Sequence, residues 1–176
     1  MAGHAEQVEI RPYQPTDQTG FAQLVATVLV EYGLSLDPIL EADLEHPDTS
    51  YQGVWVAVHD DRIIGSVAIR LLDDAEAAEL KRMYLQPEHR GRGLGRALLS
   101  HAIDWAKDRG CHSIVLDTCI AMTAAQRLYE PVGFARTGSR TETGAHDSRC
   151  EVLYKLDLAS SRKDRPPGSL TAPDQR

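Results

Sequence analysis

A short apolar strand runs straight into Pro87-Glu88-His89-Arg90-Gly91-Arg92-Gly93-Leu94-Gly95-Arg96, and an amphipathic helix follows without a break. No other feature constrains this chain as much. Gly91, Gly93 and Gly95 allow backbone torsions and close approaches that a side chain blocks, so successive N–H groups can converge on one anion. The helix behind them adds the positive end of its dipole. Strand, glycine loop and helix in this order predict a phosphate-holding turn.

Two common phosphate loops fail on spacing. A dinucleotide fingerprint needs its third glycine where Arg96 stands, or at Leu98 when counted from Gly93, although Asp117 lies about where a ribose-binding acid belongs. A nucleotide-hydrolase loop needs Gly-Lys-Ser/Thr, and none follows the glycines.

At 176 residues and 42% apolar content the chain is sized for one domain around a single core. A flexible N-terminus (1–5), one domain (6–158) and a disordered tail (159–176, with Ser-Ser-Arg-Lys-Asp-Arg-Pro-Pro-Gly) are expected. Val8–Arg11 alternates as an edge strand. A helix starts at Asp17 and carries Phe21, Leu24, Val25, Val28 and Leu29 at helical spacing, with Gly33 as its cap. Asp37-Pro38 opens a second, acidic helix through Leu44. Val54–Val58 and Ile63–Leu72 form a hairpin around Asp60-Asp61. A strand over Ala78–Leu85 enters the loop, and a helix over Gly93–Arg109 leaves it. Then come a buried strand at Ser113–Asp117, a helix at Thr123–Glu130, and a last hairpin of Phe134–Arg140 with Arg149–Leu158. Trp55 and Trp105 read as core.

The net charge of −7 argues against nucleic-acid binding. Residues 1–80 hold 15 acidic and 3 basic side chains, residues 81–176 hold 11 and 16. An anionic cofactor suits the second half; the first attracts a cationic substrate or is simply a differently solvated face. Cys111, Cys119 and Cys150 are odd in number and contain no Cys-x-x-Cys pair, so neither a disulfide framework nor a zinc site is expected. Met1–Ile10 lacks a signal-like apolar stretch, and no apolar run nears the roughly 20 residues that cross a bilayer. A reduced, cytoplasmic protein away from membranes is the expectation.

One pattern does fit the loop: Arg/Gln-x-x-Gly-x-Gly/Ala, here Arg90-Gly91-Arg92-Gly93-Leu94-Gly95. Together with the preceding Glu79-Leu80-Lys81-Arg82-Met83-Tyr84-Leu85-Gln86-Pro87 and the downstream Leu128-Tyr129-Glu130-Pro131-Val132-Gly133-Phe134, it resembles the GNAT superfamily of acyl-CoA-dependent N-acyltransferases over about residues 6–158. The resemblance implies a mixed, mostly antiparallel α/β sheet of about six to seven strands flanked by about four helices. It also implies direct acetyl transfer from acetyl-CoA to a primary amine, without a metal. The amides of Arg90, Gly91, Arg92, Gly93, Leu94, Gly95 and Arg96 then bind the pyrophosphate, and the three arginines can add charge. The strand amides over Met83, Tyr84 and Leu85 pair with the pantetheine arm and polarise the acyl carbonyl, as an oxyanion site does.

Tyr129 matches the family tyrosine that protonates the departing thiolate, for which a phenol of ordinary pKa about 10 is suited. Its alternative is a packed ring whose hydroxyl reaches solvent. Glu79 falls where some members keep a general base, since an ammonium must lose a proton before it attacks; a solvated strand-end charge is the alternative, and a bound water can replace it. Met122 stands where many members have Asn, which removes one polar contact to the cofactor. Glu31, Tyr32, Asp37, Glu41 and Asp43 line the segment that in this family covers the acceptor groove. A small-molecule amine or amino acid is the first expectation for the acceptor, and a protein N-terminus or lysine the second. A non-catalytic acyl-CoA sensor is the other class, and many members are dimers, which leaves a homodimer open.

Overall fold

The computed structural model describes residues 8–73, 75–139 and 152–158. Edge strand β1 (Glu9–Pro12) is followed by helix α1 (Gln18–Glu31), and one carboxylate closes the turn between them. Asp17 accepts from the Arg11 guanidinium at 2.7 and 2.9 Å and from the Gln14 amide at 2.8 Å. Phe21, Leu24, Val25, Val28 and Leu29 are all buried, as their helical spacing predicts. Gly33 sits at φ +70°, beyond the helix end.

The expected acidic helix over 37–44 does not form. Asp37 starts a turn by accepting from the amides of Ile39 (2.8 Å) and Leu40 (3.2 Å), but only a 3₁₀ turn at Ala42–Leu44 and a single-turn helix α2 (Pro47–Ser50) follow. Arg82, reaching over from the sheet, competes for one of the segment's carbonyls. Its Nη2 donates to the Leu40 carbonyl at 3.2 Å, the acceptor an α-helix would reserve for Leu44, whose amide bonds Glu41 instead at 3.0 Å.

Strands β2 (Gly53–His59) and β3 (Arg62–Leu71) form the expected hairpin, with Asp60 and Asp61 both at positive φ, 47° and 58°. Then follow β4 (Ala77–Leu85), α3 (Leu94–Asp108), β5 (Ser113–Thr118), α4 (Thr123–Tyr129), β6 (Ala135–Ser139) and β7 (Val152–Asp157). The seven strands make one sheet in the order β1-β2-β3-β4-β5-β7-β6, antiparallel except for β4 beside β5. This is the mixed, mostly antiparallel architecture expected. β6 and β7 pair as expected, but β7 inserts between β5 and β6.

Helices cover both faces of the sheet. Leu98, Leu99, Ala102, Trp105 and Ala106 of α3 pack with Ile64, Val67, Ile69 and Leu116 on one side. On the other side α1 packs with Val54, Val56, Ile63 and Ala68. Trp105 belongs to the core, whereas Trp55 is only half-buried and stacks on His101, ring centroids 5.9 Å apart. Cys111 and Cys119 are buried thiols. No described helix is long and apolar enough to cross a membrane. Residues 1–5, the segment with His146 and Cys150, and the tail 159–176 lie outside the described residues.

Because Phe21 is fully buried at the centre of the α1 face, Phe21→Ala is expected to lower unfolding free energy by about 4 kcal/mol. The urea midpoint, compared at unchanged slope, measures it.

Candidate active site

β4 and β5 share only three parallel rungs, Ala77↔Ser113, Ala78↔Ile114 and Glu79↔Val115. Both strands continue past Glu79 and Val115, but they separate. The edge of β4 over residues 80–85 that faces β5 therefore has no strand partner among the described residues. On its other edge β4 carries a bulge: Ser66 pairs with Tyr84 and Ala68 with Lys81, so Val67 alone faces both Arg82 and Met83. Arg82 pays for the extra residue with φ +52°, a conformation costing about 1–2 kcal/mol in a non-glycine residue. The Ser66 hydroxyl holds it by donating to the Arg82 carbonyl at 2.7 Å.

Two cavities open onto this separated edge. The larger, about 490 Å³, lies beside the glycine loop and the start of α3. The smaller, about 330 Å³, lies under α1 and the segment over 34–43. They meet at Met83, Tyr84, Met122 and Ala125, which line both. Met122, the residue where many family members have Asn, is thus part of the shared wall.

In the larger cavity the structure gathers Met83, Tyr84, Leu85, Arg90, Gly91, Gly93, Gly95 and Arg96. Arg92 is exposed and Leu94 half-buried, and neither lines it. Gly91 and Gly93 hold φ +75° and +85°, and an added Cβ would meet nothing within 4 Å, so torsion rather than space requires glycine at both positions. At Gly95 the reason is closeness: a Cβ would sit 3.3 Å from Leu128 Cδ2 of α4. No side chain caps α3, so its first N–H groups and its positive dipole end face the cavity. Arg127 of α4 also lines it; sequence inspection missed it because its position depends on how α4 folds back.

Arg90 is otherwise engaged. Its Nη1 and Nη2 donate to Glu31 at 2.6 and 2.7 Å, and its Nε donates to the Leu85 carbonyl at 2.9 Å. The guanidinium thereby clasps the end of α1 to the end of β4. The hydrogen bond to Glu31 outweighs burial and keeps the Arg90 pKa above its ordinary value.

The two residues singled out for catalysis sit apart from both cavity linings. Tyr129 is 3% exposed, its ring 5.6 Å from Phe134 and 6.0 Å from Tyr154. Its sequence neighbour Leu128 lines the larger cavity. Glu79 is 8% exposed and both its oxygens meet cations, Oε2 with Arg70 at 2.6 and 2.7 Å and Oε1 with Lys81 at 3.3 Å.

The smaller cavity holds charged residues that sequence reasoning did not select for it, Arg70, Lys81, Arg82 and Asp117, beside Glu41 and Asp43 from the segment that it expected to cover an acceptor groove. Lys81 reaches across the parting strands to Asp117 at 2.9 Å, one strand-face repeat beyond the last rung on each side. Burial pushes the Lys81 pKa down, but Asp117 and Glu79 more than offset it and the net shift is upward. Arg82 makes a two-pronged pair with Asp43, which also accepts from the Tyr51 hydroxyl at 2.7 Å. Burial opposes the Asp43 charge, yet Arg82 and Tyr51 together hold its carboxyl below the ordinary carboxylate value. Burial, with Asp43 adding to it, pushes the Tyr51 phenol well above its ordinary value. Glu31, Glu41 and Asp43, expected to attract a cationic amine, thus serve Arg90 and Arg82.

The split between β4 and β5 thus presents an open strand edge between an uncapped helix start and a charged pocket. The model of the acetyltransferase (GNAT) family matches residues 22–134, and the chain belongs to that family. An uncharacterised N-acetyltransferase of Schizosaccharomyces pombe is 33% identical over 152 residues, covering 82% of this chain and 91% of the relative. The N-acetylaspartate synthetase of Danio rerio is 33% identical over 108 residues, 58% of this chain but only 38% of the relative. A GNAT acetyltransferase structure from Staphylococcus aureus Mu50 shares the fold with a TM-score of 0.79 at 20% identity, over 87% of this chain and 100% of that one. A Salmonella typhimurium structure solved with its cofactor acetyl-CoA has a TM-score of 0.65 at 24% identity, over 96% and 98%.

Two outcomes are expected from these pairings. Glu31→Gln frees Arg90 but loosens α1 over the larger cavity, so acetyl-CoA affinity is expected to fall by about threefold to tenfold, as a coupling of about 1 kcal/mol implies; calorimetric titration decides, and tighter binding would make Arg90 a phosphate ligand instead. Asp43→Asn is expected to cost about 3 kcal/mol by leaving Arg82 short of its partner. Since the folded Asp43 pKa is depressed, its contribution is complete above the unfolded value of about 4 and disappears as pH falls below it. Denaturant titrations from pH 7 to 3 should show the wild-type curve converging on that of Asp43→Asn.

Proposed function

We propose that this chain transfers the acetyl group of acetyl-CoA directly to the primary amine of a small molecule, with an amino acid as first acceptor and a protein N-terminus or lysine as second. The junction of the two cavities at Met83, Tyr84, Met122 and Ala125 carries the reading. One cavity suits a long anionic donor, the other a small acceptor, and they touch at a single stretch of open strand. The name of the zebrafish relative, an N-acetylaspartate synthetase, supports the amino-acid choice.

The residues present fit the donor. The uncapped α3 start with Gly91 and Gly93 offers converging N–H groups to a pyrophosphate, and Arg96 and Arg127 add charge. The open edge of β4 offers amide partners to an extended pantetheine arm and an oxyanion-type contact near Met83 to Leu85. Acetyl-CoA supplies an acyl group already activated as a thioester. The acceptor amine gives up its proton to water, because Glu79 already carries Arg70 and Lys81 on its two oxygens. Tyr129, adjoining Leu128 on the cavity wall, protonates the departing sulfur.

Calorimetric titration with acetyl-CoA, against NAD and ATP, tests the donor: saturable one-site binding of acetyl-CoA alone is expected, and its failure in folded protein would sink the proposal. A panel of amines followed by thiol release then tests transfer, and binding without any transfer would make the chain a sensor. Tyr129→Phe is expected to lower kcat by about tenfold with acetyl-CoA affinity unchanged.

A further inference from the structure

Three charged groups that line the smaller cavity, Arg70 on β3, Lys81 on β4 and Asp117 on β5, form a chain through Glu79 of β4, which lies outside the lining. The formal charges of the four cancel, but their exposure does not. The Arg70 and Lys81 side chains are 45% and 26% exposed, whereas Glu79 and Asp117 are 11% and 6% exposed. The two cations are the more exposed members of the chain, although Asp117 also lines the cavity. The remaining lining charges, Arg82 with Asp43 and Glu41, are occupied with each other at the lid segment. A ligand entering from solvent therefore meets the two positive heads.

Both heads also have donors to spare. Arg70 uses Nε and Nη2 on Glu79, which leaves Nη1 without a partner among the described residues. Lys81 uses its ammonium group on Asp117 and Glu79, which leaves a third N–H. Because the two cations rest on opposite oxygens of one carboxylate, they are held side by side. Glu79 is in this sense a spacer that aims them.

Resting on the acetyl-CoA reading above, we propose that Arg70 and Lys81 bind a carboxylate of the acceptor, so that the substrate is a short amino acid and not a simple alkylamine or a polyamine. Lys81 stands only two residues before Met83, where the cavities meet, at most about 7 Å along the chain. That span suits an amine and a carboxylate on one small molecule. A cavity of about 330 Å³ holds such a molecule, and its apolar wall of Leu29, Leu34 and Leu80 covers the carbon chain. A polycation would meet Arg70 and Lys81 head-on. An alkylamine would leave both spare donors dry.

The test uses the full chain with L-aspartate, n-propylamine and 2-aminoethylphosphonate as acceptors, and with L-aspartate binding to the CoA-saturated protein followed by NMR. Wild type should bind L-aspartate and acetylate it in preference to n-propylamine. Arg70→Gln and Lys81→Met should each raise the KM for L-aspartate by about tenfold or more, the worth of a charge-assisted hydrogen bond, while kcat and acetyl-CoA affinity stay near wild type. Glu79→Gln should also raise KM and leave the pH profile of kcat in place, as a spacer does and a general base does not.

If Lys81→Met fails to fold because Asp117 loses its partner, Lys81→Met/Asp117→Asn removes both charges and should fold with the same KM defect. No L-aspartate binding by CoA-loaded wild type, a preference for n-propylamine, or equal effects of the variants on both amines would overturn the assignment. A preference for the phosphonate would overturn its carboxylate part. Failure of acetyl-CoA binding is seen separately by calorimetry and belongs to the donor reading.

Discussion

Everything functional in this molecule depends on two neighbouring parallel strands that stop bonding partway along. β4 and β5 share three rungs and then diverge in the interior of a seven-stranded sheet, where backbone N–H and C=O groups are normally paired. An unpaired strand edge in such a place is costly unless something satisfies it. The protein answers with a charged bridge at the apex, Lys81 to Asp117, and leaves the rest of the edge to whatever lies in the gap. The glycine loop follows directly from the open part of β4, and α4 follows β5, so both walls of the larger cavity are consequences of the split.

The bulge at Arg82 links this gap to the acceptor side. An arginine in a left-handed conformation is unfavourable by itself, but here the extra residue carries a side chain that leaves the sheet and seizes Asp43 and the Leu40 carbonyl. One arginine thus occupies the bulge of a strand and ties the segment over 37–44 to the sheet at the smaller cavity. On the other side of the gap, Arg90 clasps α1 to the end of β4 in a similar way.

The uneven charge of the two halves takes on a different meaning once these contacts are known. Acidic residues of the first half, Glu31, Asp43 and Glu79, are matched with Arg90, Arg82 and Lys81 of the second. Part of the imbalance along the chain thus becomes internal complementarity in the fold, while Glu9, Glu45, Asp48, Asp60, Asp61, Asp73 and Glu76 stay exposed. At the smaller cavity the pairing is lopsided in exposure, Arg70 and Lys81 being more exposed than Glu79 and Asp117.

Local sequence determined most of the elements and the residues that line the larger cavity. Period-two and helical spacing set the strands and α1, and the torsional demands of Gly91 and Gly93 marked the anion loop, because these are properties of consecutive residues. Eight of the ten residues expected around the cofactor do line one cavity for the same reason. The charged wall of the smaller cavity was only partly legible: Glu41 and Asp43 lie on a segment singled out beforehand, but Arg70, Lys81 and Asp117 come from three strands, and nothing in their spacing says that they meet. Glu79 looked like an accessible carboxylate until its strand neighbours placed a cation on each oxygen. Tyr129 kept its motif position, but packing against Phe134 and Tyr154 decided how deeply its ring is buried. Backbone chemistry is written along the chain; which charges neutralise one another depends on strand register and on where a bulge turns a side chain, and only the assembled sheet decides that.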